Sequence, residues 1–445
     1  MKDTQILTLS KKTYTYTILD AITCNIEVRD NPYQLPLEGL FTMAARINKK
    51  RSFLFVSKVL GKHLPIDPIK GLLTGALLAA RFAESIKAWK YQETENLIRS
   101  FRENETEFQS APFIPKSVNP VVIGFAETAT ALGHAFFDCF ENAEYFHTTR
   151  EEIDSLTPSI TFEEEHSHAT SHRCYIPLSM IQNDREIILV DDEMTTGKTA
   201  INIIESIHAQ FPRKEYTVVS ILDWRSEANI QRYSQLEKSL GIKINVVSLI
   251  GGNVQVNEFS KLEVHENHEA CLNTKKPCIE ILSLSAFFKS AHVAANNQTP
   301  LIQETGRFGI DSRANLDLHQ KIHDAAAVLR QHRNGTKTLC LGTGEFMYIP
   351  MKLAAEMGRN VFYQSSTRSP IFPKDVEGYG ARQRISFPNP EDQDIAHFVY
   401  NIPPFEYDEL FVFIEREVPE GNLQPFLKQV EKLQIKSMKI VFFSH

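Results

Sequence analysis

Cysteine is scarce in this 445-residue chain, and the six present (Cys24, Cys139, Cys174, Cys271, Cys278 and Cys340) form no CxxC pair. That scatter excludes a disulfide framework and a cysteine-rich zinc module, and it predicts a reduced protein. An excess of basic residues is missing too. Lys and Arg number 48 against 55 Asp and Glu, a net charge of −7 with a pI near 6.1. Such a balance argues against a general nucleic-acid binder and leaves small anionic ligands open, because a local basic patch can still serve a phosphate. Long hydrophobic runs are absent as well. The most apolar stretch, "GLLTGALLAARFA", is interrupted by Arg81 and falls short of the roughly 20 residues a membrane span needs, so it predicts a buried helix. The opening "MKDTQILTLSKK" lacks the apolar core of a signal peptide, and the expectation is a cytoplasmic protein without membrane or nucleic-acid partners. The length suggests two or three domains.

One familiar motif is only half present. In "REIILVDDEMTTGKTA" the run Gly197-Lys198-Thr199 looks like the end of a nucleotide-binding P-loop, whose first glycine would fall where the chain has Asp192. The P-loop reading fails. What remains is four apolar residues (Ile187 to Val190), two acids, a Thr-Thr-Gly turn and a run "KTAINIIESIHAQF" with apolar residues at helical spacing, which predicts strand, loop and helix. In that geometry the turn's N–H groups and the hydroxyls of Thr195, Thr196 and Thr199 meet at a helix N-terminus, where a phosphate is favoured. The carboxylates of Asp191 and Asp192, at the strand end, suit a pair of vicinal sugar hydroxyls. A ribose 5-phosphate satisfies both halves.

The stretch resembles the phosphoribosyl-pyrophosphate (PRPP) signature of type I phosphoribosyltransferases: four hydrophobics, two acids, two variable residues and T-[TA]-G-x-T. The resemblance implies an α/β fold with a parallel sheet and a hood, Asp191 and Asp192 on the ribose, and Thr195, Thr196, Gly197, Lys198 and Thr199 around the 5-phosphate. It also implies Mg²⁺ brought in with PRPP as co-substrate. Purine-salvage members commonly carry Asp at the first position of the T-T-G-x-T run; this chain has Thr195, as orotate-type members do, so an orotate-type acceptor is expected rather than a purine.

Upstream, "NPVVIGFAETATALGHAFFDCF" reads as strand, loop and helix, where the resemblance places a pyrophosphate loop over Gly124 to Thr130. Glu127 in it is awkward beside an anion: it acts through Mg²⁺ or caps the helix from Thr128. The polar connection from His147 to Pro177 predicts a catalytic lid, with His166, His168, His172 and Arg173 offsetting the charge of departing pyrophosphate. A zinc set of His166, His168 and His172 competes with that reading. Nearer the N-terminus a helix-like "LEGLFTMAARI" and a strand-like "SFLFVS" frame a basic run of Arg46, Lys49, Lys50, Arg51, Lys58, Lys62 and His63, loosely like the hood of orotate-type enzymes. Lys58 and Lys62 are its catalytic candidates. Downstream, Asp223, Trp224 and Arg225 end a predicted strand at the ligand edge of the sheet and reach the base, unless Trp224 is core.

The chain also matches itself. Gly124 and Gly342, Glu127 and Glu345, Tyr145 and Tyr363, Thr149 and Thr367, and Arg150 and Arg368 are all separated by 218 positions. Farther on, an offset of 224 pairs Asp191 with Glu415, Asp192 with Arg416 and Gly197 with Gly421, while the threonines become Pro419, Glu420 and Leu423. A degenerate second copy follows, its phosphate cradle lost. "SSTRSPI", "ETGRFGIDSR" and "LGTGEFMYIP" resemble the TRSP domain, which follows a phosphoribosyltransferase domain in bacterial proteins linked to tellurium-resistance and stress-response gene clusters.

The expected organisation is a phosphoribosyltransferase domain over 1–290, with the hood at about 20–65, and a TRSP domain over 300–445 that repeats the fold in degenerate form. In the second unit Glu345, Thr367, Arg368 and Ser369 are expected to bind an acceptor, product or partner group rather than PRPP. The partners expected are PRPP and an unknown nitrogenous acceptor, with homo-oligomerisation open. A non-catalytic PRPP or nucleotide sensor, signalling through the TRSP domain, is the competing class.

Overall fold

The computed structural model describes residues 12–47, 52–103, 108–154, 156–163, 171–259, 276–295 and 297–445. Its centre is an eight-stranded sheet in the order Lys12–Ile18, Ile22–Asp30, Lys243–Glu258, Glu215–Asp223, Ile187–Met194, Val121–Gly124, Glu144–His147 and Ile310–Asp311. The middle five strands run parallel. Such strands are covered on both faces and read as continuous hydrophobic runs, and Ile187 to Val190 are accordingly buried without exception. A second, all-parallel sheet has the order Cys278–Ser283, Ser437–Phe442, Glu409–Ile414, Thr338–Gly342 and Val361–Ser365.

The two parallel cores share one plan. Strand Val121–Gly124, helix Ala129–Phe137 and strand Glu144–His147 correspond to strand Thr338–Gly342, helix Tyr348–Glu356 and strand Val361–Ser365, in the same sheet positions. Helices Ala129–Phe137 and Tyr348–Glu356 pack on each other and on Pro68–Ile86, the buried helix that the apolar run predicts. Asp67 caps that helix by accepting from the Ile69 N–H at 2.9 Å. Gly75 lets it approach its neighbour: a Cβ there would lie 2.6 Å from Ala135. Chain segments also cross between the sheets, since Cys278–Ser283 joins the second and Ile310–Asp311 returns to the first.

The hood departs from its expected local structure. "LEGLFTMAARI" reads as a helix, but only Leu37–Leu40 is helical; Phe41–Ala45 pairs antiparallel with Phe53–Ser57, Phe41 opposite Ser57. The hairpin buries Phe41, Met43, Ala44 and Ala45 together, and this tertiary packing overrides the helical spacing.

Candidate functional site

The strand Ile187–Met194 carries Asp191, Asp192 and Glu193 to its C-terminal end, and the turn Thr195–Gly197 delivers the chain into helix Lys198–Gln210. Gly197 sits at the helix N-cap with φ 69°, a left-handed conformation suited to glycine. A Cβ there would lie 2.4 Å from the Tyr233 hydroxyl and 2.9 Å from Cδ of Arg225. The same Tyr233 hydroxyl donates to the Gly197 carbonyl at 2.8 Å, and the Lys198 N–H donates to Oγ1 of Thr196 at 3.3 Å. The turn is therefore built from behind by the strand's neighbours, with its concave face left open.

That face lines a cavity of about 340 Å³, of a size that suits a small-molecule site. Asp191 to Ala200 form one wall; Phe125 to Thr128, the turn expected to hold pyrophosphate, form another. Arg46, Lys62, Arg150, Arg368 and Ser369 complete it, so segments far apart in the chain place several cationic groups around one loop. Gly124 lies just below, where a Cβ would meet the Ala129 carbonyl oxygen at 2.7 Å.

Glu127 is engaged by the hood and by the second unit. Its carboxylate lies 3.5 Å from Nζ of Lys62 and accepts from the Thr367 hydroxyl at 2.8 Å, while Thr128 makes no side-chain cap and instead accepts from Lys62. Burial alone would raise its pKa; Lys62, then Arg150, outweigh this and hold it down at about 2. An anionic Glu127 thus orients Lys62 at the cavity wall.

The second unit's residues divide. Arg368 and Ser369, expected on an acceptor or product, lie in the same cavity as the Thr195–Thr199 turn; Arg368 is 3.9 Å from Glu151. Thr367 and Glu345 are buried between the units, and their contacts are reciprocal: Thr367 donates to Glu127, while Thr149 donates to Glu345 at 2.6 Å. These are the residues of the 218-position correspondence, exchanged across the interface. Thr148 meets Nδ1 of His172 at 2.9 Å, and Ser366 meets Nδ1 of His397 at 2.8 Å, a second matched pair.

At the place corresponding to Asp191 and Asp192, the second unit is filled by its own charges. Arg307 grips Glu415 through two bonds of 2.8 and 3.0 Å, and Nε of Arg416 donates to Glu391 at 2.8 Å. All four side chains are buried. The guanidinium groups occupy that corner in place of a ligand.

Four expectations need correction. Lys58 follows the end of strand Phe53–Ser57 and donates to the Glu38 carbonyl at 2.8 Å, away from the cavity lining. Arg173 is held outside the cavity by Glu152 and by the Arg150 carbonyl at 3.2 Å. His172 is fully buried, stacked on Phe162 at 4.9 Å, and serves the hairpin Ile160–Glu163 with Ser171–Cys174 rather than an open lid or a zinc set. Trp224 is core, stacked on Phe55 at 5.6 Å, and its neighbours Asp223 and Arg225 pair with each other at 2.7 and 2.8 Å in a separate cavity. His166, His168 and Lys49 to Arg51 lie outside the described residues.

Among the cationic cavity residues, Arg150 had no role in the sequence reading and Arg46 was named only within the basic hood run. The signal for Arg150 was its repeat partner: the correspondence that singled out Arg368 names Arg150 equally. No helix among the described residues is long and apolar enough to cross a membrane.

Comparison with known proteins gives the site its context. Residues 40–253 match a phosphoribosyl transferase family, PRTase_2, and residues 304–430 match the TRSP domain found C-terminal to it. No curated protein matches the chain. Among solved structures, similarity extends to an adenine phosphoribosyl transferase from Trypanosoma brucei in complex with AMP, pyrophosphate and ribose-5-phosphate, at 11% identity and a TM-score of 0.30, covering 50% of this chain and 82% of that one. It extends also to the Leishmania donovani adenine enzyme (20% identity, TM-score 0.23, 37% and 68% covered) and to a Staphylococcus aureus hypoxanthine phosphoribosyltransferase (11%, 0.21, 37% and 69%). These names are purine ones and lend no support to the orotate-type expectation.

Proposed function

Because this chain is a phosphoribosyltransferase whose catalytic domain is followed by a TRSP domain, we propose that it moves the 5-phosphoribosyl group between pyrophosphate and a nitrogenous acceptor of the orotate type, at the cavity where the two units meet. The Thr195–Thr199 turn holds the 5-phosphate on backbone N–H groups and hydroxyls at the positive end of helix Lys198–Gln210. Asp191 and Asp192 accept from the ribose hydroxyls. Lys62, Arg150 and Arg368 face the pyrophosphate, where they stabilise the charge that develops as the C1–oxygen bond loosens. A ring nitrogen of the acceptor bonds to C1 as that bond breaks, the electron pair leaves on pyrophosphate, and the nitrogen's proton passes to water.

Among the described residues no group of three or more His, Cys, Asp or Glu is arranged to hold a metal unaided. Mg²⁺ is usually bound by one or two carboxylates plus substrate phosphates, so in this reading it would arrive with PRPP. Asp191 and Asp192 would supply those carboxylates, and the ion would neutralise leaving-group charge.

The observation that carries this reading is the convergence of the two acids, the threonine turn and four cations from other segments, Arg46, Lys62, Arg150 and Arg368, on one cavity. The matched strand order and the reciprocal Glu–Thr contacts favour the second unit as a degenerate copy that has become a built-in partner, supplying Arg368 and Ser369. Calorimetry on Asp191→Asn with Asp192→Asn tests the assignment: loss of PRPP and ribose 5-phosphate binding by the folded double variant is expected, and unchanged affinity removes it. Pyrophosphate release in turnover distinguishes the enzyme from a sensor, which would hold PRPP unchanged.

A further inference from the structure

The strand end Asp223, Trp224 and Arg225, expected from the sequence to reach a ligand, leads instead to the back of the Thr195–Thr199 turn. Arg225 is buried and gripped by Asp223: Nε and Nη2 donate to the two carboxylate oxygens at 2.8 and 2.7 Å, and the Arg225 N–H adds a third bond at 3.2 Å. So fixed, the guanidinium lies over the ring of Tyr233 on helix Glu227–Leu240, 4.2 Å from its centroid. The Tyr233 hydroxyl, buried in turn, donates to the Gly197 carbonyl at 2.8 Å. Burial raises the phenol's pKa above its ordinary value, and the opposing pull of Arg225 does not offset this, so the group stays a donor.

The Gly197 carbonyl also accepts from the Ile201 N–H at 3.2 Å, within helix Lys198–Gln210. A second donor, from a different helix, therefore pins it. Across a planar trans peptide the C=O and N–H point in opposite directions, so pinning the Gly197 carbonyl also aims the Lys198 N–H. That N–H reaches Oγ1 of Thr196 at 3.3 Å, on the turn itself. Lys198 and Thr196 line the main cavity, whereas Tyr233 and Arg225 do not. These two act on a ligand there only through the turn.

We propose that Tyr233 is a positioning residue for the phosphoribosyl substrate, and that the Arg225–Asp223 pair keeps its ring in place. Together they fix the Gly197–Lys198 peptide in the orientation that offers its N–H to the 5-phosphate. The inference rests on the assignment of the 5-phosphate to this turn and adds residues that touch no part of PRPP. A donor aimed before the ligand arrives needs no reordering on binding, so the Tyr233 hydroxyl should count in affinity for the 5-phosphate end and not for the pyrophosphate end.

The test is titration calorimetry on the full-length protein with Mg²⁺ and three ligands: PRPP, ribose 5-phosphate and pyrophosphate. Tyr233→Phe removes only the hydroxyl and leaves the ring under Arg225. It should weaken PRPP and ribose 5-phosphate by the same factor, about tenfold for one buried hydrogen bond, while pyrophosphate affinity stays within twofold. Arg225→Lys keeps a charge for Asp223 but loses the planar stack on the ring, and it should show the same pattern with a smaller factor. That variant carries the test if Tyr233→Phe does not fold. Ribose 5-phosphate affinity unchanged in folded Tyr233→Phe, or an equal loss for all three ligands, overturns the proposal. Thr199→Ala alters the turn directly and separates the proposal from the assignment beneath it. A loss of ribose 5-phosphate binding in Thr199→Ala alone overturns the positioning role and leaves the turn's assignment standing. If Thr199→Ala also binds normally, or wild-type protein binds no ribose 5-phosphate, the assignment of the turn itself falls, and the proposal with it.

Discussion

Removing Arg368 isolates what the second unit gives to the first. The guanidinium lines the cavity at the Thr195–Thr199 turn, and its ion pair with Glu151 is long, 3.9 Å, with a fifth of the side chain exposed. A pair of that kind contributes under about 1 kcal/mol, so Arg368→Ala should cost little stability. A charge-assisted bond to a pyrophosphate oxygen is stronger, about 1.5–3 kcal/mol. Taking about 2 kcal/mol, at 1.4 kcal/mol per factor of ten, gives a Kd for PRPP raised about 30-fold. Ribose 5-phosphate lacks the pyrophosphate, and its affinity should stay within twofold. Arg368→Lys keeps the charge without the planar fork and should recover part of the loss. Titration calorimetry with both ligands, alongside urea unfolding, reads all of these. If Arg368→Ala weakened PRPP and ribose 5-phosphate by the same factor, or neither, the cross-unit role in pyrophosphate binding would be refuted. Equal losses accompanied by a large drop in unfolding free energy would instead make Arg368 structural.

Gly197→Ala forces a Cβ into a left-handed position 2.4 Å from the Tyr233 hydroxyl, so PRPP affinity should drop at least tenfold while circular dichroism stays unchanged. Glu127, held at about 2 by Lys62 and Arg150 against burial, contributes stability that is fully present above the ordinary carboxylate range and is lost as pH falls toward 2. Unfolding free energies between pH 5 and pH 2.5 should therefore fall less steeply for Glu127→Gln than for wild type, and parallel curves would contradict the assignment. Arg307→Ala strands the buried Glu415 carboxylate and should cost about 3–5 kcal/mol in urea unfolding; the double change Arg307→Met with Glu415→Leu should cost much less, and equal losses would deny that the pair is self-compensating.

The local plan of the site was readable because its parts are contiguous. Four apolar residues, two acids and a Thr-Thr-Gly turn fall within eleven successive positions, and strand, turn and helix N-terminus follow from side-chain pattern and from glycine's access to positive φ. Self-similarity likewise announced the second parallel core, since an offset that is constant within each block, 218 and then 224, keeps the strands and helices of that block in phase. What the sequence left undecided depends on which distant segments meet. Trp224 ends a strand at the ligand edge, yet the hood hairpin folds Phe55 over it and makes it core. His172 sits in a polar stretch, yet pairing with the opposite strand buries it against Phe162. Arg46, Arg150 and Arg368 belong to three segments; the repeat links the last two, but it is the packing of the two units, helix Ala129–Phe137 on Tyr348–Glu356, that puts Arg368 in one cavity with the Thr195–Thr199 turn. Hydrogen-bonding and conformational preferences act over a few residues and leave a trace in the sequence, whereas a cavity between two packed units is set by the sum of many apolar contacts, none of which marks the charged residues it gathers.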